Sequence, residues 1–219
     1  MSIAVDYLIL STQVALLVSV IPNIRAVTIG TRTNNRLFLT YFFDGVISET
    51  DRDHTSVAAC EIISDFDDDV HMDWVAERVD YPQPVPWQDM LIYHRYEPDF
   101  KLSREPFDCP KTSGKNPDRV AVRLIALRAL LGVIGPEVRA VYLRWDPYPI
   151  LINCFINGMI SQLQQNLAHQ VKAQFLRWLI DGTEETVKLQ IIRCDWPEVY
   201  PRDHYAIYCR EEAVPPGLE

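Results

Sequence analysis

The stretch Ile24-Arg25-Ala26-Val27 lies near the start of the chain, and it occurs again, slightly altered, as Val138-Arg139-Ala140-Val141. Further similar segments follow in the same order, with residue numbers that differ by 113 to 115 throughout. These pairs are Ile21-Pro22-Asn23 with Gly135-Pro136-Glu137, Asp44-Gly45-Val46-Ile47-Ser48 with Asn157-Gly158-Met159-Ile160-Ser161, Asp80-Tyr81-Pro82 with Asp195-Trp196-Pro197, and Ile92-Tyr93-His94-Arg95 with Ile207-Tyr208-Cys209-Arg210. Chance similarity would not keep its register over such a distance, so the sequence indicates a tandem duplication.

The duplication divides the 219 residues into two units of ordinary domain size. We expect a first repeat over residues 1–98, a linker over 99–117, a second repeat over 118–212 and a tail over 213–219. Prolines in the linker favour a semi-extended connection. Because 48% of the residues are hydrophobic, each repeat has enough apolar side chains for a core of its own.

Both copies show the same order of secondary structure: helix, strand, strand, helix, strand, strand. The first helix is predicted from Tyr7 to Val20, and β-branched and aromatic residues predict four strands. In the first copy these strands cover residues 24–29, 37–43, 72–79 and 90–96. We therefore predict an α+β protein of two tandem αββαββ repeats, each with two helices on one face of a four-stranded, mainly antiparallel sheet. Short connections predict that the last two strands form an antiparallel hairpin.

The start of the second helix is predicted by the same signal in both copies. Ser48 with Asp51, and Ser161 with Gln164, have the spacing of a capping box. Apolar residues at helical spacing predict the buried stripe that follows. These residues are Ala59, Ile63 and Phe66 in the first copy and Val171, Phe175, Trp178 and Leu179 in the second.

The net charge of -9 is carried by the first repeat. Residues 1–98 contain fifteen acidic and six basic residues, whereas residues 118–212 contain eleven of each. Nucleic-acid binding depends on Lys and Arg facing phosphate, so we expect no nucleic-acid partner. A cationic partner fits the acidic repeat better.

Cysteine usage and hydropathy predict a cytoplasmic location. The five cysteines form no C-x-x-C pair, which is typical of reduced, mainly buried thiols. The apolar stretch from Tyr7 to Ile21 follows no Lys or Arg and is too short to cross a bilayer. We therefore expect neither export nor membrane association.

Motifs of common enzymes do not occur in the sequence. It contains no H-E-x-x-H, G-x-S-x-G, Walker loop or G-x-G-x-x-G, and its histidines do not have the spacing of metal ligands. We predict a protein that is not an enzyme and that needs no cofactor or metal. The less favoured alternative is a hydrolase in which Asp67, Asp69 and Asp73 bind a divalent metal.

A cluster of acidic residues follows the second helix of the first repeat. Acidic side chains at a helix C-terminus oppose the helix dipole, which indicates either a solvated turn or a role outside local stability. Further acids lie along the same helix. For those in its first turns the alternative is a structural role, because the helix dipole favours acids there. An aromatic residue beside acids resembles a binding hot spot. The predicted partner-binding residues are Glu49, Asp51, Asp53, Glu61, Asp65, Asp67, Asp68, Asp69, Asp73 and Tyr81.

The duplicated motifs, together with Tyr41-Phe42-Phe43-Asp44-Gly45 and the loop from Asp80 to Pro86, resemble small bacterial immunity proteins of polymorphic toxin and contact-dependent growth inhibition systems. The resemblance covers residues 8–97 closely and residues 120–212 more loosely. It implies a cytoplasmic inhibitor that binds the C-terminal domain of a cognate toxin, in many cases a basic nuclease. The second repeat would then be a scaffold in an internal pseudo-dimer, and the protein could be monomeric. A regulatory or adaptor protein with another cationic partner is the alternative.

Overall fold

The computed structural model describes residues 3–17, 19–33, 35–199, 205–210 and 212, so the predicted tail at 213–219 lies outside it. The described elements of the first repeat are α1 (Val5–Ala15), β1 (Ile24–Arg32), β2 (Arg36–Phe43), α2 (Glu49–Ser64), β3 (His71–Arg78) and β4 (Met90–His94). Those of the second repeat are α3 (Arg119–Leu130), β5 (Val138–Arg144), β6 (Ile150–Ile156), α4 (Gln162–Arg177), β7 (Val187–Arg193) and β8 (Tyr205–Cys209). The predicted α+β fold and its repeated order of elements are confirmed.

Each repeat has one mixed sheet of four strands, in the orders β3-β2-β1-β4 and β7-β6-β5-β8. Strand β1 pairs antiparallel with β2 and with β4, whereas β2 and β3 are parallel. The predicted hairpin between the last two strands is wrong, because β3 and β4 lie at opposite edges of the sheet. Helix α2 connects β2 to β3, and a strand-helix-strand connection of this kind brings the second strand back parallel to the first.

The capping boxes of α2 and α4 are confirmed. The N–H of Asp51 donates to Ser48 Oγ at 3.1 Å, and the N–H of Ser48 donates to Asp51 Oδ2 at 2.8 Å. In α4 the corresponding bonds between Gln164 and Ser161 are 3.2 and 2.7 Å long. Each box satisfies two backbone donors that the first turn of a helix otherwise leaves without partners.

The buried stripe of α2 differs from the prediction. Its buried residues are Thr55, Ala58, Ala59 and Ile62, whereas Ile63 and Phe66 are only half-buried. The stripe is therefore centred on two adjacent alanines. In the second copy Val171, Phe175 and Leu179 are buried as predicted, and Trp178 is half-buried.

The two repeats share one continuous core. The equivalent helices α1 and α3 pack against each other, and the rings of the equivalent residues Tyr93 and Tyr208 stack with centroids 6.1 Å apart. Gln13 lies in this joint with 2% of its surface exposed. Its amide donates to the carbonyls of Ala206 at 3.2 Å and Ile207 at 3.1 Å, and its oxygen accepts from Arg123 at 2.8 Å. The joint is therefore largely apolar, and Gln13 forms a polar bridge across it. Backbone hydrogen bonds also cross the joint, from the Tyr96 N–H to the Ile134 carbonyl at 2.7 Å and from the Gly132 N–H to the His94 carbonyl at 2.9 Å.

Replacing Gln13 with Ala is expected to lower the free energy of unfolding by about 1 to 3 kcal/mol, because buried polar groups of both repeats lose their partner. The matched control is Gln170→Ala, an exposed glutamine of α4. Urea denaturation followed by circular dichroism measures both values. Equal stability of the two variants would show that the polar bridge contributes nothing to the joint.

Residues between the repeats pack onto the second one. Phe107, Cys109 and Thr112 are buried, and the Thr112 carbonyl accepts from the N–H of Ile180 at 2.9 Å. The structure describes all five cysteines; none of them forms a disulfide, and all except Cys60 are buried. Among the described residues, no helix has the length and apolar character needed to cross a membrane.

Candidate partner-binding surface

The Arg-Ala-Val motif that marks the duplication holds each repeat together. Arg25 lies at an irregularity of the pairing between β1 and β2 and is 1% exposed. Its Nε and Nη2 donate to the carboxylate of Glu97 at 2.6 and 2.7 Å, and its Nη1 donates to the Val79 carbonyl at 2.7 Å. Burial by itself would raise the pKa of Glu97, but the hydrogen bonds from Arg25 and Arg95 and the charges near the carboxylate together lower it. This pair is a structural element of the interior.

The second repeat contains the equivalent arrangement. Arg139 is 2% exposed, and its Nε and Nη2 both donate to the carboxylate of Glu212 at 2.5 Å. Its Nη1 donates to the carbonyls of Cys194 at 2.8 Å and Glu198 at 2.9 Å. The strongest signal of the sequence therefore marks internal structure in both copies.

Two loops of the first repeat are joined by reciprocal hydrogen bonds. The Asp44 carboxylate accepts from the N–H of Tyr81 at 3.1 Å, and the Asp80 carboxylate accepts from the N–H of Gly45 at 2.8 Å. Hydrogen bonds from Arg78 and from the Gly45 N–H lower the pKa of Asp80 to about 2. These bonds give the Asp-Gly and Asp-Tyr-Pro motifs a common role, which is to fix the loop that carries Tyr81.

The same two bonds occur in the second repeat. Asn157 accepts from the N–H of Trp196 at 2.9 Å, and Asp195 accepts from the N–H of Gly158 at 2.6 Å. Tyr81 and Trp196 are each 40% exposed. Sequence reasoning selected Tyr81 and missed Trp196, although the equivalence of the two motifs could have identified it.

The acidic cluster after α2 consists of Asp65, Asp67, Asp68, Asp69 and Asp73, and three of these five side chains have partners. Asp65 accepts from Ser11 Oγ at 2.8 Å, and Asp69 accepts from the Asn35 amide at 2.8 Å. Asp73 forms an exposed ion pair with Arg36 at 3.0 Å. These contacts hold the loop between α2 and β3 against the N-terminal helix and the turn between β1 and β2.

Asp67 and Asp68 lie at the tip of that loop. Both are exposed, and neither side chain has a hydrogen-bond or ion-pair partner among the residues that the structure describes. The fold therefore gives these two carboxylates no internal function, and both are accessible to a partner.

Four of the other predicted residues lie within α2 itself. Glu49 and Asp53 are exposed near its N-terminus, where Asp51 is occupied by the capping box and by the Asn23 amide at 3.2 Å. Glu61 is exposed near the other end. A helix of 16 residues is about 24 Å long, so the structure separates the predicted residues into two groups, one at each end of the helix.

A cleft of about 260 Å³ opens at the joint between the repeats. Its lining includes Tyr81, Tyr93 and Arg95 of the first repeat and Tyr208 and Arg210 of the second. Sequence reasoning missed this cleft because it forms only when the repeats pack together. Among the residues that the structure describes, no group of three or more His, Cys, Asp or Glu side chains is placed to hold a metal ion.

The duplicated α+β unit presents exposed carboxylates and loops fixed by hydrogen bonds, which form a surface that another macromolecule can bind. The chain belongs to the MafI2 immunity protein family, whose model matches residues 5–97 and 119–212. One match falls on each repeat, which confirms the resemblance to immunity proteins and the tandem form. Membership implies that the chain neutralises a cognate toxin. None of the curated proteins compared with the chain matches it.

Proposed function

We propose that the chain binds the C-terminal domain of its cognate toxin, that this domain is a nuclease, and that the acidic surface of the first repeat covers its basic substrate path. The protein acts in the cytoplasm, without catalysing a reaction. The exposed carboxylates of Asp67 and Asp68, which have no partner in the described structure, carry this proposal.

Charge complementarity supports a nuclease as the partner. An enzyme that cleaves nucleic acid binds phosphates through basic side chains. An acidic protein associates rapidly with such a surface, and the attraction weakens as salt increases. The fifteen acidic and six basic residues of the first repeat give it the required sign.

The charges and the packing of the second repeat support a scaffold role for it. The loop equivalent to Asp67 and Asp68 contains Glu184 and Glu185, and Glu184 pairs with Lys172 at 2.6 Å. The second repeat as a whole has as many basic as acidic residues. It contributes α3 to the shared core, so it stabilises the first repeat without adding to the acidic surface.

The test is to measure affinity for the toxin domain encoded beside the gene, at low and at high salt. Asp67→Lys/Asp68→Lys is expected to weaken binding by about tenfold to a hundredfold at low salt, because two attractive charges become repulsive. Folding should not change, since neither side chain has an internal partner. The readouts are titration calorimetry and cleavage of nucleic acid by the toxin.

The matched control is Glu184→Lys/Glu185→Lys, which makes the same change in charge on the equivalent loop. It is expected to reduce affinity by less than about threefold at low salt, an effect of overall charge alone. Equal losses in the two variants would contradict the proposed surface. A toxin that does not cleave nucleic acid would contradict the proposed class of partner.

A further inference from the structure

Strand β3 forms one edge of the first sheet, with β2 as its neighbour. The backbone groups of its odd-numbered residues form hydrogen bonds to β2. The N–H of His71 donates to the Asn35 carbonyl at 3.0 Å, and that of Val79 donates to the Phe43 carbonyl at 2.9 Å. Alternate residues of a strand direct their backbone groups to opposite sides. The outward groups belong to Met72, Trp74, Ala76 and Arg78, and none of their N–H groups has a backbone partner among the described residues.

The side chains of β3 divide between a core face and an acidic face. Met72, Trp74 and Ala76 pack against the core, so the alternate residues Asp73 and Glu77 lie on the opposite face. At eight residues, β3 is longer than the usual strand of about five or six. It contains no Pro or Lys, the residues that commonly protect an edge from pairing. The edge is thus open, and it carries two acidic side chains, of which Asp73 already forms an exposed ion pair with Arg36 at 3.0 Å.

Strand β7 is the equivalent edge of the second sheet, and its chemistry is different. The pairing registers place Lys188 where the first repeat has Asp73, and Ile192 where it has Glu77. A lysine on an edge strand opposes the addition of another strand, and opposes a basic strand most of all. The two copies of one fold therefore differ at the positions that select a strand partner.

We propose that the toxin adds an extended segment with basic side chains to the free edge of β3, as a fifth strand of the first sheet. This inference rests on the proposed function, because it specifies how the same acidic surface binds. The backbone of β3 supplies the hydrogen bonds, and Glu77 pairs with a basic residue of the added strand. A second basic residue competes with Arg36 for the exposed carboxylate of Asp73. Asp67 and Asp68 lie in the loop that precedes β3 and extend the acidic surface beyond the strand.

A second copy of this chain fits the edge less well. If two β3 strands paired antiparallel about Val75, Asp73 of each would lie opposite Glu77 of the other. Like charges directly opposite each other destabilise a pair of strands. The net charge of -9 adds to this repulsion.

Amide exchange by NMR, with and without the toxin domain, tests the added strand. The outward amides of Met72, Trp74, Ala76 and Arg78 should exchange rapidly in the free protein and at least about tenfold more slowly in the complex. The equivalent outward amides of β7, at Leu189, Ile191 and Arg193, are an internal control and should not change. Protection of the β3 amides that appears without toxin and rises with protein concentration would instead identify a second copy and overturn the proposal.

Ala76→Pro gives an independent test, because it removes an outward donor without removing a bond to β2 or changing the charge. It is expected to weaken toxin binding by about tenfold or more. Ile191→Pro, the equivalent change in β7, should have no effect on affinity. If either variant fails to fold, the exchange measurement on the unmodified protein still decides.

The outcomes separate the two proposals. If the β3 amides are unchanged in the complex while Asp67→Lys/Asp68→Lys weakens binding, strand addition is wrong and the acidic surface stands. If neither β3 nor the acidic loop responds, both proposals fail together.

Discussion

Replacing Arg25 with Met is expected to lower the free energy of unfolding by about 3 to 5 kcal/mol. The reason is that Glu97, which is 8% exposed, would lose both hydrogen bonds of its main partner while its charge stays buried. Arg95 also donates to Glu97, at 3.1 Å, so the lower end of this range is the better expectation. Urea denaturation near neutral pH, followed by circular dichroism, measures the change.

Two comparisons show whether the buried charge is the cause. The double variant Arg25→Met/Glu97→Leu should recover most of the loss, because apolar side chains of similar size can replace a buried ion pair. Arg36→Met removes an ion pair whose partners are 54% and 46% exposed, and it should reduce stability by less than about 1 kcal/mol. A double variant as unstable as Arg25→Met would show that the loss comes from the packing of Arg25 and its hydrogen bond to the Val79 carbonyl, and not from the buried charge of Glu97.

Local signals in the sequence predicted the kind and order of the elements correctly, although the first helix ends at Ala15 and not at the predicted Val20. The capping boxes at Ser48 and Ser161 depend on residues three positions apart, so they can be recognised without knowing the fold. The duplication strengthened them, because each signal could be checked in a second copy. The order of helices and strands followed from these local patterns.

Strand pairing could not be predicted in the same way. Whether β3 returns beside β2 or pairs with β4 depends on contacts between residues far apart in the chain. The short connection between β3 and β4 favoured a hairpin, but the helix between β2 and β3 decides the topology. The shape of the joint between the repeats is likewise a property of packing.

The candidate site was predicted in part. Acidity identified Asp67 and Asp68, whose side chains are exposed, but it also selected Asp51, which caps α2, and Asp65, which accepts from Ser11. Composition cannot distinguish a carboxylate that serves the fold from one that is accessible to a partner. Nor could it reveal that the edge of β3 is open, because that depends on the order of the strands.

As the pH falls, protonation of His94 is expected to destabilise the protein first, and protonation of the carboxylates only at lower pH. The His94 ring is 1% exposed and stacks on Phe100 with centroids 3.6 Å apart, and its Nδ1 donates to the Arg95 carbonyl at 2.6 Å. Burial lowers the pKa of His94 to about 4, although the hydrogen bond to the Arg95 carbonyl and the nearby Glu97 act in the opposite direction. The folded protein therefore holds this histidine neutral.

The sign of the effect follows from the two pKa values. The unfolded chain takes up the proton near pH 6.5, whereas the folded protein does so only near pH 4. The stability that His94 contributes is complete above pH 6.5 and is lost as the pH falls to 4. Because one pKa unit corresponds to about 1.4 kcal/mol, the loss is about 3 kcal/mol. The pKa values of Asp44 and Glu97 are lowered, so their contributions disappear at more acidic pH.

The second repeat supplies the variant that tests this interpretation. Its residue equivalent to His94 is Cys209, which is also buried, so His94→Cys places a side chain there that the same fold accepts. The variant should be less stable at pH 7, because it loses the stacked ring, but its stability should change little between pH 6.5 and 4.5. His169→Gln, at an exposed position of α4, should keep the full pH dependence. If His94→Cys also keeps it, the buried histidine is not its source, and the buried pair of Arg25 and Glu97 becomes the first group to examine.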